Sequence, residues 1–266
     1  MTRPALARVA LYRRRLPVPV ERVWENVRDW EHLPWLHRAS FAWVACEGAG
    51  AWGWRARIGL PGGSAIRLEL AIEPDAPRYV ARTLEGPGSG SEIWTRVAER
   101  GEHSEVEVEF WLPGVAAAQA DAIGASYTQL YTRLWDEDES MMLRRARELA
   151  RGQPAARAAP RALGPLAALR EALPLCVGWA GATWRIVALR GALVAHATRC
   201  PHRLGPLEHA PVDADGCVTC PWHGWRFDLA TGASADGRGA RLATAPRVEV
   251  DAGGQVWLRP ADAARG

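Results

Sequence analysis

The sequence predicts an α+β protein in two folded parts, an N-terminal antiparallel sheet closed by one long helix and then an all-β domain. Three observations carry this. Residues 41–112 run in short alternating segments separated by Gly/Pro-rich breaks such as Leu60-Pro61-Gly62-Gly63 and Gly86-Pro87-Gly88-Ser89-Gly90, which is the pattern of an antiparallel meander. Residues 117–151 hold no proline and a single glycine, Gly124, as one long helix would. After them a Gly-Gln-Pro-Ala-Ala-Arg-Ala-Ala-Pro stretch reads as a linker leading into short β-type runs. A chain of 266 residues has room for two cores. The expected division is 1–151, a linker over 152–170, and 171–266.

Taken in order, residues 6–16 read as a strand that Pro17 and Pro19 end. Val20, Val23, Trp24 and Val27 then fall at i, i+3, i+4 and i+7, a short amphipathic helix with proline at its start. A second short helix is expected over 29–36. Strands follow over 41–46, 51–60, 64–72, 78–84, 91–98 and 104–112, then the long helix. In the C-terminal part, 184–189, 193–197 and 256–258 are strand-like.

Composition narrows the function classes. The net charge is +3 and the pI about 8.7; every basic residue other than histidine is an arginine, and Arg13-Arg14-Arg15 is the only tight run, read as a solvated strand end. That excludes a strongly basic nucleic-acid binder. No apolar run approaches the roughly 18 to 20 residues a membrane helix needs, and the first residues lack a signal peptide's order, so a cytoplasmic protein is expected. Five cysteines do not suggest a disulfide framework. Cys46 and Cys176, in apolar runs, are expected in the core. Nine of fourteen tryptophans precede residue 136, which suggests an aromatic N-terminal interior.

The chemistry is concentrated in Cys200-Pro201-His202 and Cys220-Pro221-Trp222-His223, with seventeen residues between His202 and Cys220. Each segment offers one thiolate and one imidazole, a ligand set suited to iron or zinc. A zinc ribbon would bring paired cysteines from each knuckle, and beyond Cys217-x-x-Cys220 no second CxxC exists. Two cysteines on one iron and two histidines on the other is the arrangement of a Rieske [2Fe–2S] centre. The segments CPHRLGPLEH and CPWHGWRFDLATG make residues 177–260 resemble a Rieske domain. The resemblance implies Cys200, His202, Cys220 and His223 as ligands of one cluster per chain. No cysteine lies between Arg203 and Glu208 to bridge to Cys217, so the likeness is to the lower-potential clusters of oxygenases and their ferredoxins, with Cys217 a small packed residue. His196 and His209 are expected to be packing or supporting groups near the cluster, and His103 lies in a polar turn.

The order strand, two short helices, meander, long helix is similar to the START-like (SRPBCC) helix-grip fold, as are Pro19-Val20-Glu21-Arg22-Val23-Trp24 and Asp29-Trp30-Glu31-His32-Leu33-Pro34. Within it, Asn26-x-x-Asp29-x-x-His32-x-x-x-x-His37 resembles the N-x-x-D-x-x-H-x-x-x-x-H motif of Rieske non-haem iron oxygenases. The resemblance implies that His32 and His37 bind a mononuclear Fe(2+), one per chain. Asn26 and Asp29 would serve catalysis, Asp29 as the carboxylate linking cluster and iron. Two imidazoles and a carboxylate on one face of Fe(II) leave adjacent positions open for O₂ and substrate. On an ideal helix Tyr127, Tyr131, Leu134, Met142 and Arg145 fall within roughly 40° of residue 138, so Asp138 interrupts an apolar stripe, whereas Asp136 points to solvent and Glu137 and Glu139 lie at the flanks. A buried carboxylate needs a cation, either iron or Arg145. The family's Glu-Asp pair followed by an apolar stretch, matched by Glu137-Asp138 and Met141-Met142-Leu143, favours iron.

The resemblance therefore implies the terminal component of a Rieske-type mono- or dioxygenase. It would hydroxylate or oxidatively demethylate a hydrophobic, aromatic or alicyclic small molecule in a Trp-rich cavity. Electrons from NAD(P)H would arrive through a separate reductase or ferredoxin, since no dinucleotide fingerprint is present; neither nucleic acid nor membrane is an expected partner. Usual members place the Rieske domain first and assemble as a ring, commonly a homotrimer; here the order is reversed. The alternative is a Rieske electron carrier fused to a START-like ligand-binding domain with no mononuclear iron.

Overall fold

A computed structural model describes residues 5–73, 75–151 and 158–261. The chain divides into two compact units at Ala146/Arg147. In the first, β1 (Leu6–Leu16) is followed by α1 (Val20–Val27) and α2 (Leu33–Leu36). Six strands come next: β2 (Trp43–Gly50), β3 (Gly53–Gly59), β4 (Ala65–Glu73), β5 (Arg78–Glu85), β6 (Glu92–Arg100) and β7 (His103–Pro113). The helix α3 (Ala117–Ala150) ends the series. The seven strands form one antiparallel sheet in the order β1-β7-β6-β5-β4-β3-β2, so the meander returns its last strand to the first. The fold class is α+β, as expected.

The second helix is shorter than the predicted 29–36. Residues 29–32 form turns, and α2 begins only where Pro34, which has no N–H to leave unbonded, occupies its first turn. The core of this unit gathers Leu16, Val18, Val23, Trp54, Ala56, Ile58 and Val106 with Trp135 and Met142 of α3. Trp54 also donates its indole N–H to the carbonyl of Val27 at 3.0 Å, satisfying one of the free carbonyls at the end of α1. At Gly124 the backbone of α3 passes close to the sheet. A Cβ there would stand 2.2 Å from the Val9 carbonyl oxygen, at the bulge between Arg8 and Ala10, so only glycine allows the approach.

The expected aromatic interior is met in part. Trp54, Trp135 and Tyr79 are in the core with Trp24 and Trp30 packed against it, but Trp35, Trp43 and Trp52 are exposed and Trp94 and Trp111 donate to Glu92 and Glu109 on the sheet's ion-paired face. Alternation along β1 also splits the arginine run. Arg13 pairs with Glu107 at 2.8 Å, while Arg14 turns to α3 and reaches Asp136 and Glu139, each at 2.6 Å.

The second unit begins earlier than the expected 171. Within the predicted linker, residues 152–157 lie outside the described residues, but β8 (Arg161–Pro165) pairs with a later strand and α4 (Leu166–Glu171) follows it. Then come β9 (Leu175–Trp179), β10 (Ala182–Leu189), β11 (Ala192–Ala197), β12 (Cys217–Thr219), β13 (Arg226–Asp228), β14 (Arg247–Val250) and β15 (Gln255–Arg259). They form three small antiparallel sheets, β11-β10-β9, β12-β13 and β14-β15-β8, the two three-stranded ones sharing a core of Ile186, Ala195 and Leu258. Ala162 and Gly164 are weak strand formers, and β8 is held by its backbone ladder to β15 instead. Cys176 is exposed because alternation along β9 turns it away from the core, whereas Cys46 shares the inward side of the edge strand β2 with Val44 and is half-buried. His196 is buried in β11, whereas His209 is exposed on a loop.

Candidate metal centres

Two loops of the second unit converge on one point. The first leaves β11 and carries Cys200 and His202; the second leaves β12 and carries Cys220 and His223. Their backbones are folded alike. The Cys200 carbonyl accepts from Leu204 N–H and the Cys220 carbonyl from Gly224 N–H, both at 2.9 Å, while each cysteine N–H donates to the residue five positions on, Gly205 at 2.9 Å and Trp225 at 2.8 Å. Leu204 and Gly224 are the left-handed residues of the two turns, with φ of 64° and 68°. Gly205 is required by proximity: a Cβ there would lie 2.7 Å from the Cys220 Sγ.

Cys200 and Cys220 are both free thiols with no exposed surface. They share a hydrogen bond, which, with help from His223 and against burial, brings Cys220 down to about 5 and pushes Cys200 up. One buried thiolate is thus already favoured, and a cation in place of the shared proton would favour the second. The His202 and His223 rings stand edge to face with centres 4.6 Å apart, and Trp225 stacks on His202 at 4.1 Å. Two soft and two borderline donors on mutually braced loops fit a [2Fe–2S] cluster with mixed ligands. Cys217, buried in β12, lies outside this donor set, and its thiol is pushed up by burial.

In the first unit the expected set comes together from two distant parts of the chain. Asn26 ends α1, Asp29 and His32 lie in the turns before α2, His37 closes α2, and Glu137 and Asp138 lie on α3. His37 Nε2 is 3.1 Å and His32 Nε2 3.5 Å from the same Asp138 Oδ1, and all three side chains are buried. Donors on adjacent positions of a metal with bonds of about 2.1 Å stand about 3 Å apart, so the three could close on one small ion. Asn26 Nδ2 donates to Asp138 Oδ1 at 2.9 Å and fixes the carboxylate's orientation. Arg145 does not pair with Asp138; its guanidinium binds Glu25 at 2.6 Å. Of the two cations the sequence offered for Asp138, the arginine is therefore engaged elsewhere.

Burial raises the Asp138 carboxyl, but the charge and hydrogen bond of His37, the charge of His32 and the Asn26 amide together hold it below its ordinary value. Burial lowers His37, and Asp138 and Glu137 outweigh it to raise the imidazole. Glu137 is the group that sequence reasoning missed. Its Oε2 lies 2.6 Å from His37 Nδ1, the carboxylate-behind-histidine arrangement that sets the tautomer of a metal ligand. Asp29 stands behind His32 in a looser version, 3.9 Å from its Nδ1.

The three converging donors form one end of a cavity of about 310 Å³ between α3 and the sheet. Its wall is mostly aliphatic and aromatic, including Phe41, Ile58, Leu68, Tyr131 and Leu134, with Trp54 and Trp135 as the only tryptophans. The expected Trp-rich cavity is therefore an aliphatic and tyrosine-lined one. Of the five groups that helical spacing places on the interior stripe of α3 beside Asp138, Tyr127, Tyr131 and Leu134 line the cavity.

Comparison with known proteins bears on the second unit most directly. Residues 162–246 match the family model of the Rieske [2Fe-2S] domain. A 38-residue stretch, 14% of this chain, is 53% identical to pheophorbide a oxygenase, chloroplastic, of Oryza sativa subsp. japonica, and spans 7% of that relative's length. Among solved structures, the ferredoxin of carbazole 1,9a-dioxygenase from Nocardioides aromaticivorans IC177 aligns at 25% identity over 39% of this chain and 100% of its own, with a TM-score of 0.34. The ZhuI aromatase/cyclase from Streptomyces sp. R1128 aligns at 13% identity over 54% of this chain and 98% of its own, with a TM-score of 0.47. The C-terminal unit thus contains a Rieske domain, and a [2Fe–2S] cluster is the group that Cys200, His202, Cys220 and His223 fit. Among the described residues, no helix is long and apolar enough to cross a membrane.

Proposed function

We propose that this chain is the terminal component of a Rieske non-haem iron oxygenase, with its Rieske domain second, acting on a hydrophobic aromatic or alicyclic small molecule by hydroxylation or oxidative demethylation. The observation that carries the reading is the approach of His32 Nε2 and His37 Nε2 to one oxygen of Asp138 at the wall of an apolar cavity. When bound, the cluster supplies electrons singly and a mononuclear Fe(II) supplies the means of using them on O₂.

The remaining work belongs to the chain's own side chains. His32, His37 and Asp138 would hold the metal where they line the cavity, so that O₂ and substrate could reach it from there. Asn26 keeps Asp138 turned to that face, and Glu137 holds the His37 Nδ1 proton so that Nε2 presents its lone pair. Asp29, buried beside His32, keeps the coupling role that the motif implies for it. The aliphatic wall excludes water and orients a substrate by shape, and its volume lies at the lower end of the roughly 300–1,000 Å³ usual for ligand sites. Electrons come from a separate reductase or ferredoxin drawing on NAD(P)H. The relative's oxygenase name supports an oxygen-using reading.

Iron counted per chain tests this. Three irons are expected in the wild type and two in His32→Ala, with the cluster's visible spectrum unchanged between them. Two irons in both proteins would leave an electron carrier joined to a ligand-binding domain.

A further inference from the structure

The cavity carries polar groups that metal binding does not use. Tyr127 and Tyr131 stand one turn apart on α3, on the face that Asp138 continues two turns further on, and both line the cavity. Phe110 of β7 braces both rings, with centres 4.7 Å from Tyr131, edge to face, and 5.2 Å from Tyr127. Among the described residues, no group accepts a hydrogen bond from either hydroxyl. A phenol facing an apolar cavity without an acceptor forgoes a hydrogen bond that a ligand can restore. Burial pushes both phenols up, and Tyr79, Tyr127 and Asp138 push Tyr131 further, so both remain donors.

The charge of the lining restricts the ligand. Among the described residues no arginine lines the cavity, and the two groups there that can become cationic, His32 and His37, are directed at Asp138. A carboxylate ligand would find no counterion and would meet the field of Asp138. We propose that the cavity receives a ring-sized apolar molecule bearing a neutral oxygen acceptor, a ketone or an ether, whose oxygen accepts hydrogen bonds from Tyr131 and Tyr127. This rests on the reading of the cavity as the substrate site and narrows its substrate class.

Three matched probes test it on the full chain as purified under nitrogen: 2-acetylnaphthalene, its hydrocarbon isostere 2-isopropenylnaphthalene, and 2-naphthoate, each titrated by fluorescence. The wild type should bind the ketone about three- to tenfold more tightly than the hydrocarbon, the margin one or two hydrogen bonds give, and the anion least. The double variant Tyr127→Phe/Tyr131→Phe keeps both rings. It should bind ketone and hydrocarbon alike, with the hydrocarbon's Kd unchanged from wild type. Equal binding in the wild type would overturn the proposal. So would a ketone preference that survives the double substitution, as direct coordination by a metal would produce. Iron counted on the same preparations separates this inference from the oxygenase reading. Two irons with an intact ketone preference contradict the oxygenase alone, and three irons with no preference contradict the phenol assignment alone.

Discussion

The two donor sets of this molecule are built in opposite ways. The cluster ligands lie on two loops of one small domain, and each loop closes on itself, the cysteine carbonyl accepting from the N–H four positions on and the cysteine N–H donating to the carbonyl five positions on. The His32, His37 and Asp138 set has such a frame only at its histidines, whose carbonyls accept from Leu36 and Phe41 N–H at 2.8 and 2.9 Å. The set exists only because α3, about a hundred residues later in the chain, brings Asp138 and Glu137 to the segment of α1 and α2, where Asn26 holds Asp138 and Glu137 holds His37. A locally framed site tolerates changes elsewhere in the fold, whereas one assembled across the fold depends on the groups behind its ligands.

Breaking the locally framed set should have the largest effect. Cys220→Ser should remove the cluster, abolish its visible absorbance and O₂-dependent turnover, and leave one iron per chain at the N-terminal set; iron and acid-labile sulfide assays check both counts. Asp138→Asn comes next. It should cost the mononuclear iron and at least about a hundredfold in turnover, since an open-faced iron site needs its carboxylate, while the cluster spectrum stays as in the wild type.

Glu137→Gln sharpens the comparison, because it alters only what stands behind His37. Loss of such a carboxylate typically weakens metal affinity about 10- to 100-fold, so competition with a chelator should strip this variant's single iron at correspondingly lower chelator concentration. Acidity should act on the same point. His37 is raised in the metal-free protein, so its proton is held below and near the ordinary histidine range and lost only as pH rises through the raised value. Iron needs the neutral ring, and affinity at this set should therefore climb with pH through that value and then level off, as iron titrations at stepped pH would measure. The smallest effect is expected of Arg145→Met, which removes the half-buried pair with Glu25 and should cost only about 1 kcal/mol of stability. Its iron count should be unchanged, in contrast to a protein whose Asp138 relied on that arginine.

The same contrast explains what could be read from the sequence. The C-x-H and C-x-x-H spacings are properties of single loops, and the meander and long helix follow from alternation and breaks, so these were legible in advance. Helical periodicity could also bring Asp138 to the inner stripe, since that is an angle on one helix. The contact between Glu137 and His37 could not be read so, because a flanking helical position faces whatever the fold packs there, and nothing local encodes the 2.6 Å approach. The tryptophans misled for a related reason. Neither composition nor count says which way an indole points: Trp35 on α2, Trp43 on β2 and Trp52 in the turn after it are exposed, and the cavity wall takes Trp54 and Trp135 beside its tyrosines. The strand over Arg161–Pro165 was hidden because Ala162, Leu163 and Gly164 carry little β preference, and its partner β15 lies about ninety residues on.

The central claim is that a single iron with open positions sits among His32, His37 and Asp138. Nitric oxide added to the reduced full chain under nitrogen tests it most directly, because it binds an open-faced Fe(II) and makes it visible by electron paramagnetic resonance. The account predicts a half-integer high-spin signal in the wild type that disappears in His37→Ala while the reduced cluster's own signal persists. A reduced wild-type protein that gives the cluster signal and no nitrosyl signal would contradict it.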